Sequence, residues 1–318
     1  MKSNFWHKLP KPFFILAPMA NVTDVVFREL IYERGKPDVF YTEFVSVDGL
    51  LSKGREALLV DLQFTPNQHP IVAQIFGSKP ENFKVVAAQL KEMGFDGIDI
   101  NMGCPDKSVE RQGAGASLIK NPKLAREIIE ATIEGAGGLP VAVKTRLGYN
   151  KLEYKEWLAE ILKTDITTLI VHLRTRKEMS KVPAHWELMP EIVAMAHAAG
   201  KIVVGNGDVI DRADGIKKSQ ETGVDGIMIG RGIFSNHWLF NTQITQDQVS
   251  VKDRLESMVK HTTLFVEKLP MKNFAMMKKH FKVYTLGLPN ATDLRAALML
   301  ANNPDDVKRE VESYLKGV

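Results

Sequence analysis

Residues 201–230 read KIVVGNGDVIDRADGIKKSQETGVDGIMIG: a β-branched run, a helical stretch stopped by Gly223, and a second apolar run. Both runs are apolar on each face, as strands of a parallel sheet covered by helices must be. The same unit recurs upstream in FFILA (13–17), VFYTEFV (39–45), PIVAQIF (70–76), FDGIDIN (95–101), PVAVK (140–144) and TTLIVHL (167–173). Amphipathic stretches such as ENFKVVAAQLKEMG and PKLAREIIEATIEGAG lie between them. Eight strand signals within about 230 residues predict a closed (β/α)8 barrel rather than an open doubly wound sheet.

Beyond Asn241 the strand signals stop, and VKDRLESMVKHTTLFVEKL, NFAMMKKHFKVYTLG and DDVKREVESYLKG carry a helical texture. Leu255, Met258, Val259, Thr262 and Phe265 fall at helical spacing, while Gly287-Leu288-Pro289 breaks the series. The expectation is a barrel over 1–241 and a small all-α domain over 242–318, joined near 241–249.

With 318 residues, 44% of them hydrophobic and 25% charged, the chain is neither fibrous nor disordered. The 15 uncharged residues from Gly232 to Gln246 include polar ones and are too short for a membrane span. Pro12 and Pro18 cut the apolar run near the N-terminus to five residues, so no export signal is read and a cytoplasmic protein is expected. A single cysteine, Cys104, excludes an internal disulfide, and the scattered histidines show no metal-ligand spacing, so no metal is expected. The net charge of +4 comes entirely from residues 248–318, which hold 12 Lys and Arg against 8 Asp and Glu. Such an excess suits a polyanion partner or a solvated helix surface.

In a parallel barrel the active site gathers at the carboxyl ends of the strands. Those ends read Ala17-Pro18-Met19, Glu43, Gln74, Asn101 followed by Cys104, Lys144 with Arg146, His172 with Arg174 and Arg176, Asn206-Gly207-Asp208, and Gly230-Arg231-Gly232. The last two sets follow strands seven and eight, where barrels bind phosphate through backbone N–H groups, although Gly-x-Gly alone also marks an ordinary turn. Lys144 ends a buried run and must meet an anion or snorkel to solvent. His172 is a ligand donor or a satisfied core histidine. Asp96 and Asp99 read as hydrogen-bonding groups within the barrel. Cys104, on a loop bounded by Gly and Pro, is a buried hydrophobe, a nucleophile or a proton donor, and an ordinary thiol pKa of about 8.5 favours the donor over the nucleophile.

Taken together, APMANVTDVVFR (17–28), TEFVS (42–46), Gln74, NMGCPDKSVERQGAGASLI (101–119), VKTRLG (143–148), VHLRTR (171–176), VGNGDV (204–209), DGIMIGRG (225–232) and MKKHFKVYTLGLPNATDLRAALM (277–299) resemble the flavin-dependent tRNA dihydrouridine synthases in order and spacing. The resemblance implies an FMN-containing barrel that reduces the C5–C6 double bond of a tRNA uridine, with NADPH as reductant. Pro18 and Met19 would lie against the flavin, and Gln74 would meet its polar edge. Lys144 and His172 would contact its pyrimidine end or ribityl phosphate, with Asn206, Gly207, Asp208, Gly230 and Arg231 around the phosphate. Asn101 would orient the uracil, Cys104 would be the general acid, and Glu43, Arg174 and Arg176 would face the substrate. Lys278, Lys279 and Lys282 would bind tRNA, and the protein would act as a monomer. Two segments differ from the family's usual pattern: MSKVPAHW (179–186), and Asn236-His237-Trp238, where Asn-Pro-Trp is usual. A flavin barrel acting on a small molecule and an RNA-binding barrel without chemistry are the competing readings.

Overall fold

The computed structural model describes residues 4–317 and contains nine parallel strands: β1 (Phe13–Leu16), β2 (Phe40–Tyr41), β3 (Val45–Ser46), β4 (Ile71–Phe76), β5 (Gly97–Met102), β6 (Val141–Arg146), β7 (Thr168–His172), β8 (Ile202–Asn206) and β9 (Gly226–Ile229). Their order is β1-β9-β8-β7-β6-β5-β4-β2, and a bridge between Ile15 and Val39 joins the two ends. The barrel is therefore closed. Its second position is split, since β2 and β3 both pair with β4. Between them the backbone N–H of Gln74 donates to Thr42 Oγ1 at 3.1 Å instead of to a carbonyl. A threonine side chain thus replaces one rung of the ladder, which interrupts the run expected over 39–45.

Side chains alternate along each strand, so every second residue faces the interior. Phe13 and Ile15, Val39 and Tyr41, Val72, Ala142, Ile170, Val204 and Met228 form the apolar filling. Toward the carboxyl ends the inward sequence becomes polar, with Gln74, Asp99, Asn101, Lys144, His172 and Asn206. At the opposite mouth a short helical turn, Phe5–Lys8, presents Trp6, which is 1% exposed and packs on Phe13 at 5.7 Å between ring centroids. Gly226 leaves room for the Phe13 ring: a Cβ there would stand 2.2 Å from Phe13 Cε2.

The C-terminal region is helical, with helices Val251–Lys268, Ala291–Leu300 and Pro304–Gly317. Its core includes Leu255, Met258, Phe265, Phe281 and Leu298, and also Val25, Val26 and Leu30 from the first helix of the barrel, Val25–Arg34. The two parts share one apolar seam. Buried in it, Arg34 hydrogen-bonds His237 Nδ1 at 2.7 Å and the Tyr284 hydroxyl at 3.0 Å, and its guanidinium lies 5.0 Å over the Trp238 ring. A proline at 237 could not supply that acceptor, so the altered Asn-His-Trp segment belongs to the seam.

Candidate functional site

A cavity of about 530 Å³ opens at the carboxyl ends of β1, β6, β7, β8 and β9. It gathers Pro18, Met19, Lys144, His172, Asn206, Gly207, Asp208, Gly230 and Arg231, nine of the ten residues expected around a flavin. Gln74 does not line it. Backbone geometry shapes the lower wall: Gly207 has φ +127°, and a Cβ there would stand 2.9 Å from Ala184 Cβ. Asp208 follows with φ +47°, a left-handed conformation uncommon outside glycine. The altered segment 179–186 packs here, with the Trp186 indole donating to the Gly207 carbonyl at 2.8 Å and the Ala184 N–H to Asp208 Oδ2 at 2.9 Å.

Charge around the cavity is unbalanced. Burial, then Arg146, Lys144, Arg174 and Arg231, hold His172 well below its ordinary pKa, so its imidazole is neutral. Burial lowers Lys144 to about 8, with Arg146 adding to the effect and Asp99 opposing it. Asp208 is the one carboxylate in the lining among the described residues; it pairs with Arg174 and stands 3.6 Å from Arg231. Several cations and glycine-flanked N–H groups against one carboxylate suit a phosphorylated anion.

Next to this cavity lies the Cys104 loop. Asn101 Oδ1 accepts the N–H groups of Gly103 at 3.1 Å and Cys104 at 2.9 Å, while the Ala116 N–H donates to the Cys104 carbonyl at 2.9 Å. Gly115, at φ +61°, makes the approach possible, since a Cβ would stand 2.7 Å from that carbonyl oxygen. Phe76, Val109 and Ala114, with Phe44, form the apolar wall beside the thiol. Burial raises the thiol pKa above its ordinary value, so Cys104 keeps its proton at neutral pH.

Other residues named from the sequence are engaged within the protein. Glu43, 2% exposed, accepts the Asn21 N–H and a 2.5 Å ion pair from Lys272, which also reaches Asp61 at 2.7 Å. Burial raises the Glu43 carboxyl to about 7 against the pull of Lys272. Arg174 is buried against Asp208 and the Val182 carbonyl, and Arg176 grips Glu110 with two nitrogens. Lys278 donates to the Met299 carbonyl at 2.7 Å, whereas Lys279 and Lys282 are exposed. Two residues given no role by the sequence reading join the site. Arg146, at the end of β6, donates to the Gly103 carbonyl at 2.7 Å and to the Thr175 carbonyl at 3.1 Å, tying the Cys104 loop to the loop after β7. Its inward position, two residues after Lys144, was a usable signal. Lys272 had none, because its partner lies 229 residues away.

Comparison with known proteins gives a consistent picture. Residues 15–317 match the family model described as dihydrouridine synthase. A protein of Bacillus subtilis (strain 168) named probable tRNA-dihydrouridine synthase 2 is 45% identical over 328 residues, covering 100% of both chains. A probable tRNA-dihydrouridine synthase of Staphylococcus aureus (strain Mu50 / ATCC 700699) is 46% identical over 305 residues, 94% of this chain and 92% of that one. Among solved structures, an old yellow enzyme homologue from Zymomonas mobilis superposes with a TM-score of 0.50 at 14% identity, covering 71% of this chain and 86% of its own. A 6-hydroxypseudooxynicotine amine oxidase from Pseudomonas geniculata N1 gives 0.53 at 13%, covering 84% and 52%. At these identities the structural likeness concerns the fold alone.

Proposed function

The chain belongs to the dihydrouridine synthase family, and from that premise we propose that it reduces the C5–C6 double bond of a uridine in tRNA, using FMN and NADPH. Residues 1–241 form the FMN-binding catalytic barrel and 242–318 the tRNA-binding region, in a cytoplasmic monomer; residues 1–3 and 318 of those ranges lie outside the described structure. No helix among the described residues is long and apolar enough to cross a membrane.

The residues fit the cofactor. Asn206, Gly207, Asp208, Gly230 and Arg231 would hold its phosphate, Pro18 and Met19 would lie against its ring, and Lys144 and His172 would meet its polar groups, whereas the Gln74 amide is bonded to Asp99 and Asn101 behind the cavity wall. When bound at these residues, FMN in its reduced form would supply the hydride for C6 of uracil. Asn101 orients the base, and the apolar wall of Phe44 and Phe76 excludes water from it. Cys104 then gives its proton to C5, where negative charge shared with O4 has developed. The observation that carries this reading is a partly buried thiol on a loop fixed by Asn101, adjoining a cation-rich cavity at the carboxyl end of a barrel. A uridine in folded tRNA must be turned out to reach that loop. Incubation of the purified protein with unmodified tRNA, FMN and NADPH, followed by nucleoside mass spectrometry, should show a uridine that has gained two hydrogens. A protein that binds FMN yet leaves every uridine unchanged while reducing free pyrimidines would replace this reading with the small-molecule one.

A further inference from the structure

Asp99 lies wholly inside the barrel, on β5 and in register with Gln74 of β4. The reaction read above does not use it. Gln74 Nε2 donates to Asp99 Oδ2 at 2.7 Å. Gln74 Oε1 accepts Asn101 Nδ2 at 3.0 Å. Asn101 Oδ1 accepts the Gly103 and Cys104 N–H groups. A backbone N–H can only donate, so Asn101 Oδ1 must accept, and Asp99 Oδ2 ends the chain as an acceptor whether the carboxyl is ionised or carries a proton on Oδ1. With those fixed ends, each intervening amide has one orientation that satisfies the chain; turning either one sets like groups against each other at both of its joints.

The geometry points to Asp99 as a positioning residue: from the barrel interior it sets the amide orientation of Gln74 and Asn101, and through Asn101 the backbone of the Cys104 loop. It touches neither substrate nor thiol. The inference rests on the reading of Cys104 as the proton donor for its catalytic meaning, but the hydrogen-bond chain itself does not depend on the substrate. Burial pushes the Asp99 carboxyl up to about 7, against the Gln74 hydrogen bond and Lys144 on β6, which favour its ionised form, and the Tyr41 hydroxyl on β2 is a neutral neighbour. Neither Asp99 Oδ1 nor the Tyr41 hydroxyl has a hydrogen-bond partner among the described residues.

These unpartnered atoms make Asp99→Asn informative. The amide keeps an oxygen toward Gln74 and places its NH2 where Oδ1 now stands unpaired. Asp99→Leu keeps approximate volume and removes the acceptor. Cys104 is the sole cysteine, so alkylation by iodoacetamide of the purified full-length protein, without tRNA, reports this loop alone. The expected result is an alkylation rate for Asp99→Asn within about twofold of the parent and for Asp99→Leu roughly fivefold faster or more, since one lost buried hydrogen bond corresponds to a change of that order. Single-turnover dihydrouridine formation should fall for Asp99→Leu and be rescued in Asp99→Asn. Thermal melts identify a variant that fails to fold, in which case Gln74→Met, which breaks the next joint with Asp99 intact, should give the same faster alkylation. A folded Asp99→Leu or Gln74→Met protein whose thiol reacts at the parent rate overturns the proposal. If the parent makes no dihydrouridine but the thiol rates follow the expected pattern, the proposed activity fails while the positioning role stands.

Discussion

On the proposed reading Cys104, whose proton burial holds, serves only the step that protonates uracil, and removing it would separate two half-reactions. Cys104→Ala should slow reduction of tRNA by about 10²–10⁴-fold, the usual contribution of a positioned acid, while NADPH-driven bleaching of the flavin in a stopped-flow spectrometer continues at the parent rate. Loss of both would assign Cys104 a structural role. At this scale much was legible. Lys144, His172 and Asn206 were visible as polar residues ending apolar runs, because a buried run that finishes on such a group must end at a polar mouth. The partners of these groups were not visible. Asp99 reads as one of two aspartates in FDGIDIN, and only the register of β4 on β5 brings Gln74 to it.

Elements behave in the same way. Short runs apolar on both faces announced the strands, and the strand ends differ from the runs by a residue or two. The exception is the second position, where the bonding of Thr42 to Gln74 depends on a strand 30 residues further on and leaves no local signature. The contact between Lys272 and Glu43 is similar, joining the turn after helix Val251–Lys268 to the gap between β2 and β3 and, through the Asn21 N–H, to the loop that follows Met19. Both side chains are buried, at 10% and 3% exposure. Lys272→Met should therefore destabilise the protein, by up to about 3–5 kcal/mol, because it removes the ion-pair partner of a buried carboxyl that lies beside Asp61. Urea unfolding measures this. A raised carboxyl pKa works against folding above it: relative to Glu43→Gln, the parent should lose stability as pH rises from about 4.5 through 7, since the folded state there holds a proton that the unfolded chain has released. A parallel pH dependence of the two proteins would show that the Glu43 carboxyl titrates alike in the folded and unfolded chains.

For the whole molecule, the helical region and the barrel share a core through Val25, Val26 and Leu30, so basic groups beyond residue 248 are held at a fixed position relative to the cavity mouth. Replacing Lys278, Lys279 and Lys282 with alanine should weaken tRNA binding and reduce the slope of log affinity against log salt by about 2, as lost phosphate contacts release fewer counterions. Fluorescence anisotropy over a salt series reads both; unchanged affinity and slope would move the RNA face elsewhere. The amino-terminal turn has a different consequence. Trp6 packs on Phe13 at the mouth opposite the cavity, so on the proposed reading reductant and tRNA would both enter at the carboxyl ends of the strands and take turns there. Initial-rate plots at several fixed levels of either one should be parallel lines, and an excess of either should inhibit by blocking entry of the other.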